Sequence, residues 1–353
     1  MRFRVLMSLL AFVLCLLPSH AKAAEQLQTA WIGEHEAFLV WYAKQKGWDK
    51  DAGLDIRMLR FGSGDKIVSR QGDYQWKIAG CGAVPTLMAA SKGQFYVVGI
   101  GNDESASNAI FTRADSPILK MKGFNPNCPE VYGNPGSVRG KTFIVPKGTS
   151  AHYMLSRWLH VLGLNERDVN IVDMQPSEAM KAFADGQGDA IALWAPQTFE
   201  AEKLGLKTVA HSSDCNARQP ILLVANMDYA NKHKGDIVAF LRVYLRSVDM
   251  MKKTPAEDLA DDYMRFYNAW TGKTMTREEA IRDIKEHPVY ALDQQLDMFK
   301  QSYGTSELRE WLHDIVSFQN ETGELDRRDL ARLERLHYVT DIYLKAVKAP
   351  AKK

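Results

Sequence analysis

A strand, a glycine-containing loop and a helix follow one another in residues 141–162, KTFIVPKGTSAHYMLSRWLHVL. The apolar run from Lys141 to Val145 predicts a buried strand. Residues Ala151 to Leu162 have the apolar spacing of a helix, which Gly163 should end. Similar units recur along the chain, with glycine at the joints between β-rich and helical segments. This alternation predicts an α/β fold in which helices cover both faces of sheets built from parallel βαβ units.

The alternation occurs in two series that a loop separates. The first series covers residues 27–100 and the second residues 141–225, whereas residues 122–140 are rich in Gly, Pro and Asn and are predicted to form a loop. From about Asp228 onward the apolar spacing is helical. A chain of this length usually exceeds one hydrophobic core, so we expect two domains followed by a helical C-terminal region.

The N-terminus has the pattern of a secretory signal peptide. Arg2 and Arg4 precede an apolar run over residues 5–17, and Ala21 and Ala23 flank Lys22 in a small-residue box. This pattern predicts a signal peptide over residues 1–23, cleaved near Ala23, and export to the periplasm. A retained membrane anchor is the alternative, although the apolar run is short for a bilayer span.

The charge of the predicted mature chain is nearly balanced. Of the 45 basic and 43 acidic residues, three basic ones lie in the first 23 residues, which leaves a net charge of −1. Binding to a nucleic acid normally requires a concentrated basic face, so nucleic acid is not expected as a partner. The mature chain would carry Cys81, Cys128 and Cys215. A bridge between Cys128 and Cys215 is open, because sequence alone does not fix connectivity.

Five loops that follow predicted strands are candidates for a binding site. They span residues 33–35, 62–64, 80–83, 147–152 and 194–196. Ligands of open parallel sheets bind beyond the carboxyl ends of the strands, where free N–H groups at helix starts favour an anion. Thr149 and Ser150 add hydroxyl groups there, and each could instead serve only as a helix N-cap. His152 could donate to a bound anion or lie partly buried on its helix.

Motifs of common enzyme classes are missing from the sequence. No second histidine follows His35-Glu36 at the spacing of a zinc protease, and Pro85 interrupts the dinucleotide-binding pattern that begins at Gly80. The segment 62–64 lacks the glycine spacing of a hydrolase nucleophile elbow. We therefore expect no enzyme activity, no cofactor and no metal.

An ordered set of motifs resembles the nitrate, sulfonate and taurine solute-binding proteins of ABC transporters, and its spacing is most similar to the taurine-binding branch. The motifs lie within residues 28–228 and are Phe61-Gly62-Ser63-Gly64, Gly82-Ala83-Val84-Pro85, residues 140–146, Ser150-Ala151-His152-Tyr153, Gln175-Pro176 and Leu193-Trp194-Ala195-Pro196. Cys81 replaces the small uncharged residue that is frequent in this family, and the loop around Cys128 is longer.

The resemblance implies a two-lobe periplasmic binding protein, a type II clamp that closes on a solute by hinge motion. Its first lobe would comprise residues 24–111 and 224–353, and its second lobe residues 112–223. The implied partners are a small anionic or zwitterionic solute and an ABC permease in the inner membrane.

The resemblance and the loops together predict a sulfonate site. Its expected residues are Glu34, His35, Ser63, Gly64, Gly82, Ala83, Thr149, Ser150, Ala151, His152 and Trp194. The hydroxyl and N–H groups would hold the sulfonate, and Trp194 would pack on the carbon chain. For taurine an acidic group must also meet the ammonium. Glu34 is the first candidate, whereas Asp103 and Glu104 are expected to be solvated.

Two alternatives stay open. The same fold could bind nitrate, bicarbonate or a thiamine-precursor pyrimidine. It could also belong to a sulfinate-processing enzyme, in which Cys81 would be the nucleophile and His35 or His152 its base.

Overall fold

The computed structural model describes residues 26–302 and 304–348. The predicted signal peptide, residues 1–23, lies outside these described residues. Within them, no helix combines the length and the apolar character that crossing a membrane requires.

Ten β-strands form two five-stranded sheets in the described part of the chain. The strands are β1 (Gln26–Trp31), β2 (Asp55–Arg60), β3 (Ile78–Gly82), β4 (Phe95–Asp103), β5 (Asn108–Thr112), β6 (Thr142–Val145), β7 (Asn170–Asp173), β8 (Ala190–Trp194), β9 (Lys207–His211) and β10 (Pro220–Asn226). The first sheet has the order β2-β1-β3-β10-β4, and the second has the order β7-β6-β8-β5-β9.

The α-helices surround these sheets, and the last eight of them follow β10. They are α1 (His35–Gln45), α2 (Trp48–Asp51), α3 (Gly64–Ser69), α4 (Gln71–Tyr74), α5 (Ala83–Ser91), α6 (Pro135–Val138), α7 (Ser150–Val161), α8 (Pro176–Ala184), α9 (Gln197–Lys203), α10 (Met227–Lys232), α11 (Lys234–Lys253), α12 (Ala256–Thr271), α13 (Arg277–Glu286), α14 (Leu292–Phe299), α15 (Glu307–Glu321), α16 (Arg327–Leu336) and α17 (Ile342–Lys348). The strand and helix predicted in residues 141–162 are confirmed as β6 and α7, within one residue at either end.

The fold is that of a two-lobe α/β clamp. The first lobe consists of the first sheet with α1 to α5 and the C-terminal helices, of which α11 packs on α1 and α15 packs on α5. The second lobe consists of the second sheet with α6 to α9. Each lobe has its own core, built around Trp31 and Phe38 in the first and around Phe143 and Trp158 in the second. The predicted α/β class is therefore confirmed.

One antiparallel strand breaks the parallel pattern of each sheet. In the first sheet, β1 pairs in parallel with β2 and β3, whereas β10 runs antiparallel to β3 and β4. In the second, β6 pairs in parallel with β7 and β8, whereas β5 runs antiparallel to β8 and β9. The prediction of sheets built only from parallel strands is wrong for β5 and β10. Each of these strands directly follows a segment that connects the lobes.

Two connecting segments, residues 104–107 and 212–219, join the lobes, and we call them the hinge. They bond to each other: Glu104 N donates to Gln219 O at 2.9 Å, and Ser213 N donates to Ser105 O at 2.8 Å. The sheet changes at these segments, a few residues before the predicted lobe boundaries at 111/112 and 223/224. Residue-level lobe limits stay a prediction.

All three cysteines of the described residues are free thiols in buried positions. Cys128 and Cys215 belong to the same core cluster of the second lobe. The bridge considered between them is therefore not formed.

Candidate ligand-binding cleft

A cleft lies between the lobes at the carboxyl edges of the parallel strands. The space that atoms leave free there is about 300 Å³, including solvent at the mouth. Six residues predicted for the site line this cleft: Glu34, Gly64, Gly82, Thr149, Ser150 and Trp194. They come from five separate loops and from both lobes. Parallel sheets place such loops at one edge, which explains why residues far apart in the sequence meet here.

The other five predicted residues lie beside or behind the lining. Ala83 and Ala151 are buried in the first turns of α5 and α7. Ser63 is buried and donates towards Asp65 and Gln175, the latter at 3.2 Å. His35 and His152 face other partners, described below.

Four lining residues were not predicted for the site: Ile32, Pro85, Glu104 and Ile221. Ile32 and Glu104 directly follow β1 and β4, so their positions at strand ends were a usable signal. Asp103 and Glu104 were expected to be solvated, and this was wrong, because they are only 5% and 3% exposed.

Three helices begin at the cleft. The N-cap residues of α1, α5 and α7 are Glu34, Gly82 and Thr149, and all three line the cleft. The side chains of Glu34 and Thr149 accept no hydrogen bond from the N–H groups of their own helices, and Gly82 has no side chain. By contrast, Thr276 and Ser306 cap α13 and α15 in the ordinary way. The remaining first-turn N–H groups at the cleft have no capping side chain and can bind an anion, which the helix dipole also favours. Two positions offer no donor, because Ala37 N of α1 donates to Glu34 O and Pro85 of α5 has no N–H.

The two hydroxyl residues at α7 differ in what they can do. Thr149 Oγ1 donates to Pro146 O at 2.5 Å, so its proton is already used and it does not cap the helix. Ser150 has a backbone carbonyl that accepts from Gln219 Nε2 at 2.9 Å, which fixes the loop against the hinge. The Ser150 hydroxyl has no hydrogen-bond partner among the described residues and remains available to a ligand.

Gly64 lies where a side chain would not fit. A Cβ atom built there would come within 2.9 Å of Pro85 Cγ and 3.1 Å of Cys81 Sγ. Glycine therefore lets the backbone of the first lobe approach α5 closely at the cleft wall.

Two carboxyl groups face the cleft and interact with each other. Glu34 and Glu104 both line the cleft, and both are buried. Burial, and then the neighbouring charges of Glu104 and Glu36, raise the pKa of Glu34 well above its ordinary value. Burial also raises the pKa of Glu104. Among the described residues that line the cleft, none is Lys, Arg or His.

A buried ionic network lies behind Glu104. His287 Nε2 is 2.9 Å from Ser107 Oγ, and His287 Nδ1 is 2.7 Å from Asp283 O and 3.3 Å from Asp283 Oδ1. Burial opposes charge on His287, but Asp283 and Glu104 outweigh it and raise the His287 pKa to about 9. Although Ser107, His287 and Asp283 are the residue types of a hydrolase triad, Ser107 is 2% exposed and does not line the cleft. The arrangement ties the hinge to α13.

His35 belongs to the same network. Its ring stacks on that of His287 at 5.2 Å between centroids, and its Nδ1 lies 3.4 Å from the hydroxyl of Tyr263. Burial and then the charge of His287 lower the pKa of His35 to about 3, so the ring is neutral. The structure thus places His35 under the cleft wall rather than in the lining.

His152 sits between two carboxylates on the flank of α7. Its Nε2 is 2.9 Å from Glu166 Oε1, and its Nδ1 is 3.5 Å from Glu324 Oε1 of the first lobe. Burial lowers its pKa, but these two carboxylates outweigh burial and raise the pKa to about 9. His152 therefore bridges the lobes and does not reach the cleft.

A second set of contacts joins the lobes at α9, and we call it the latch. Its three ion pairs are Lys273–Glu200 at 2.8 Å, Arg282–Glu202 at 2.6 Å and Lys203–Glu279 at 2.7 Å. Arg282 binds both carboxylate oxygens of Glu202 and also lies over the ring of Phe199. The lobes are therefore in contact on both flanks of the cleft.

Cys81 is buried under the cleft wall. Its Sγ lies 3.6 Å from Gly64 O, and the residue does not line the cleft. Burial raises the pKa of its thiol, which keeps it protonated. This is the opposite of the environment that activates a cysteine nucleophile.

The architecture is that of the periplasmic binding protein fold. Residues 129–258 match the model of the family described as NMT1/THI5 like. The chain is 29% identical over 68% of its length to a Brachyspira hyodysenteriae protein named as an ABC transporter periplasmic binding protein. It is 27% identical over 63% of its length to a Bacillus subtilis protein named as an aliphatic sulfonates-binding protein. It is 26% identical over 58% of its length to the taurine-binding periplasmic protein of Escherichia coli.

These alignments cover 68%, 64% and 62% of the three relatives, so the chain matches about two thirds of their length. The chain is thus related to ABC transporter periplasmic binding proteins, some of which are named for sulfonates.

Solved structures share the fold over most of both chains. The aliphatic sulphonate binding protein SsuA from Escherichia coli superposes with a TM-score of 0.67 at 17% identity, over 87% of this chain and 91% of that one. SsuA from Xanthomonas axonopodis pv. citri, bound to MOPS, gives 0.66 at 17% identity, over 86% and 95%. A DSZB mutant in complex with biphenyl-2-sulfinic acid gives 0.60 at 15% identity, over 91% and 99%. At sequence identities this low, the structural similarity establishes only that the fold is shared.

Proposed function

We propose that this protein is the exported solute receptor of an ABC importer and captures a small sulfonate such as taurine. It would act in the periplasm, close its lobes around the solute and deliver it to a permease in the inner membrane. The relatives named as ABC transporter, sulfonate and taurine binding proteins support this proposal.

The observation that carries the proposal is the meeting of three uncapped helix N-termini at one cleft. A sulfonate has three oxygens that accept hydrogen bonds and one negative charge. First-turn N–H groups of α1, α5 and α7 offer donors from both lobes, and the Ser150 hydroxyl adds one more. An anion held by both lobes stabilises the closed form, because only that form presents all the donors at once.

The size and the walls of the cleft also fit a small solute. Trp194, Ile32 and Ile221 provide an apolar wall for a short carbon chain. A free space of about 300 Å³, part of it open to solvent, suits a small solute rather than a large one.

A thiamine-precursor pyrimidine is the second candidate. The observation that favours it is the carboxyl pair of Glu34 and Glu104 beside the flat ring of Trp194, since an aminopyrimidine offers N–H donors and a stacking face. The same carboxyl pair favours a zwitterion such as taurine over nitrate and bicarbonate, because these two ions carry no cationic group to place beside two acidic side chains.

A sulfinate-processing enzyme finds less support. Its nucleophile would be Cys81, which is buried, protonated and outside the lining. The candidate bases His35 and His152 are also buried, against other partners.

Thermal melts with a panel of solutes test the proposal. A ligand that binds only the folded chain adds about 2.7 kcal/mol at 100 times its dissociation constant. We expect a shift with taurine or another small sulfonate and none with nitrate or bicarbonate. A shift with an aminopyrimidine alone would select the second candidate, and the lack of a shift with every sulfonate would refute the first.

A further inference from the structure

The imidazole ring of His152 lies at the boundary of the lobes and has a carboxylate on either side. Its Nε2 is 2.9 Å from Glu166 Oε1, which belongs to the second lobe. Its Nδ1 is 3.5 Å from Glu324 Oε1, which belongs to the first lobe. The ring of Phe318 on α15 meets the His152 ring edge-on at 5.0 Å between centroids, and His152 is only 2% exposed. Packing therefore fixes the ring between its two partners.

The Nδ1 atom of His152 has another neighbour, which requires the opposite protonation state. The backbone N–H of Gly148 donates to Nδ1 at 3.3 Å. Nδ1 can accept this bond only when it carries no proton, whereas a bond from Nδ1 to Glu324 requires the proton. Nε2 keeps its proton in either state, because the carboxylate of Glu166 faces it and can only accept. The two bonds at Nδ1 therefore exclude each other.

The two competing partners belong to different parts of the molecule. Gly148 directly precedes Thr149 and Ser150, which line the cleft at the start of α7. Glu324 follows α15 in the first lobe. The proton on Nδ1 thus decides between a bond to the loop of the candidate anion site and a bond across the lobe boundary.

The charges that face His152 favour its protonated form. Burial opposes the charge, but Glu166 and Glu324 outweigh burial and raise the His152 pKa to about 9. The elements β5, β8 and α5, which also pack on α7, have no charged side chain. The other charged or titratable groups on this flank are engaged elsewhere, namely Glu321 with His160, Asp314 and Arg157 near Tyr153, and Asp214 with His211 N.

We propose that His152 is a proton-controlled positioning residue, which ties α7 to the first lobe when Nδ1 is protonated and holds the Gly148 loop when Nδ1 is not. In the protonated form the ring bridges Glu166 and Glu324 and keeps the lobes together on this flank. When the Nδ1 proton leaves to solvent, the bond to Glu324 is lost and the Gly148 N–H is bound instead. This exchange needs no solute, so the inference goes beyond the proposed function.

The exchange makes closure of the lobes depend on pH. Opening separates His152 from Glu324 but not from Glu166, because only Glu324 lies in the first lobe. The pKa of His152 is therefore higher in the closed form than in the open form. A group of this kind stabilises the closed form at neutral pH, and the stabilisation is lost as pH rises through about 9.

Nuclear magnetic resonance of the ligand-free, isotope-labelled chain follows both competing bonds from pH 6 to pH 10.5. The His152 ring signal is identified by its absence from His152→Gln, and the Gly148 ¹⁵N shift is read by carbon detection, which tolerates rapid amide exchange at high pH. We expect the two signals to shift with one common midpoint near pH 9. In His152→Gln the Gly148 signal should show no transition in this range.

Matched glutamine variants separate the contact across the lobes from a general effect of the flank. Glu324→Gln removes the charge of the first-lobe partner, so we expect the His152 midpoint to fall by about one pH unit. Glu321→Gln, which alters the exposed His160–Glu321 pair on the same flank, is the control and should leave the midpoint unchanged. Glu324→Gln keeps the ring of His152 and thus tests the contact even if His152→Gln does not fold.

Small-angle X-ray scattering of the same ligand-free proteins measures lobe opening, because an open clamp has a larger radius of gyration. We expect the radius of the parent to increase between pH 7 and pH 10, and the increase to be smaller in Glu324→Gln and absent in His152→Gln. An increase in His152→Gln equal to that of the parent would overturn the control of closure, as would a constant radius in the parent.

The titrations decide the exchange of partners in the same way. A Gly148 signal that does not follow the His152 midpoint in the parent, or an unchanged midpoint in Glu324→Gln, overturns it. Neither measurement contains a sulfonate. A failure of every sulfonate to bind would therefore refute the proposed function and leave the role of His152 to these results.

Discussion

Trp194, at the end of a strand in the second lobe, and Glu34, at the start of a helix in the first lobe, line the same cleft from opposite lobes. The indole ring of Trp194 thus forms a wall of a cleft that also contains a buried carboxyl, whose pKa burial raises well above its ordinary value. The ring of Trp194 and its N–H group can be tested separately.

Trp194→Phe should keep the wall and remove the donor. A neutral hydrogen bond contributes about 0.5 to 1.5 kcal/mol, so loss of the indole N–H as a donor should lower affinity at most about tenfold. Trp194→Ala should weaken binding further, because it also removes apolar contact. Calorimetric titration measures both, and Trp48→Phe, outside the cleft lining, is the control. Unchanged affinity in Trp194→Phe would mean that the indole N–H does not act on the solute.

Ser150→Ala should mainly lower the affinity for the solute, whereas Thr149→Val should mainly lower the stability of the fold. The free hydroxyl of Ser150 is expected to contact the anion, so its loss should lower affinity about tenfold to a hundredfold with little change in stability. Thr149 donates to Pro146 O, so its loss should cost about 1 kcal/mol of folding free energy and little affinity. Titration and a melt of each ligand-free variant decide between the roles. The reverse pattern would move the anion contact to Thr149.

Stability should fall at alkaline pH as His152 loses its proton. Its folded pKa of about 9 lies above the ordinary value of 6.5, so its contribution is fully present below pH 6.5 and lost as pH rises through 9. At 1.36 kcal/mol for each pKa unit, the loss is up to about 3 kcal/mol. Urea unfolding of the parent and of His152→Gln from pH 6 to pH 10 measures it. A parent curve no steeper than that of the variant would contradict this role.

The latch should slow the release of solute. Arg282 and Glu202 are each 36% exposed, so their ion pair is expected to contribute only about 0.2 to 1 kcal/mol to closure. Glu202→Gln should therefore raise the dissociation rate by up to about fivefold, with less effect at high salt. Glu257→Gln, which breaks the Lys285–Glu257 pair within the first lobe, is the stopped-flow control. Equal rates in the two variants would show that the latch does not hold the lobes closed.

Local pattern was enough to predict most of the fold. The strand and helix of residues 141–162 form at their predicted positions because apolar periodicity and glycine stops act locally. The strand β5 was missed, because all five of its residues are buried and no alternation marks it. Its antiparallel pairing depends on the hinge, which local pattern does not specify.

The candidate site was predictable where it depends on strand ends and glycines, as at Gly64, Gly82 and Trp194. The prediction was less accurate for residues whose place in the site depends on how deeply they are buried. Glu104 was expected to face solvent, since an acidic side chain after a strand usually does. Its burial results from the packing of α13 and the hinge around it. His35 and His152 were misplaced for a related reason, because their partners Tyr263 and Glu324 lie more than 150 residues away in the sequence.

The hydrogen bonds between the two hinge segments determine how one lobe can move against the other. Glu104 N to Gln219 O, Ser213 N to Ser105 O and Gln219 N to Ser105 Oγ cross-link the two segments. We expect the cross-linked segments to bend together more readily than they slide past each other, because sliding would break all three bonds at once. Rotation about the hinge is then the easiest relative motion of the lobes. Since Glu104 belongs to the hinge, we expect its distance to a bound solute to change little as the cleft opens.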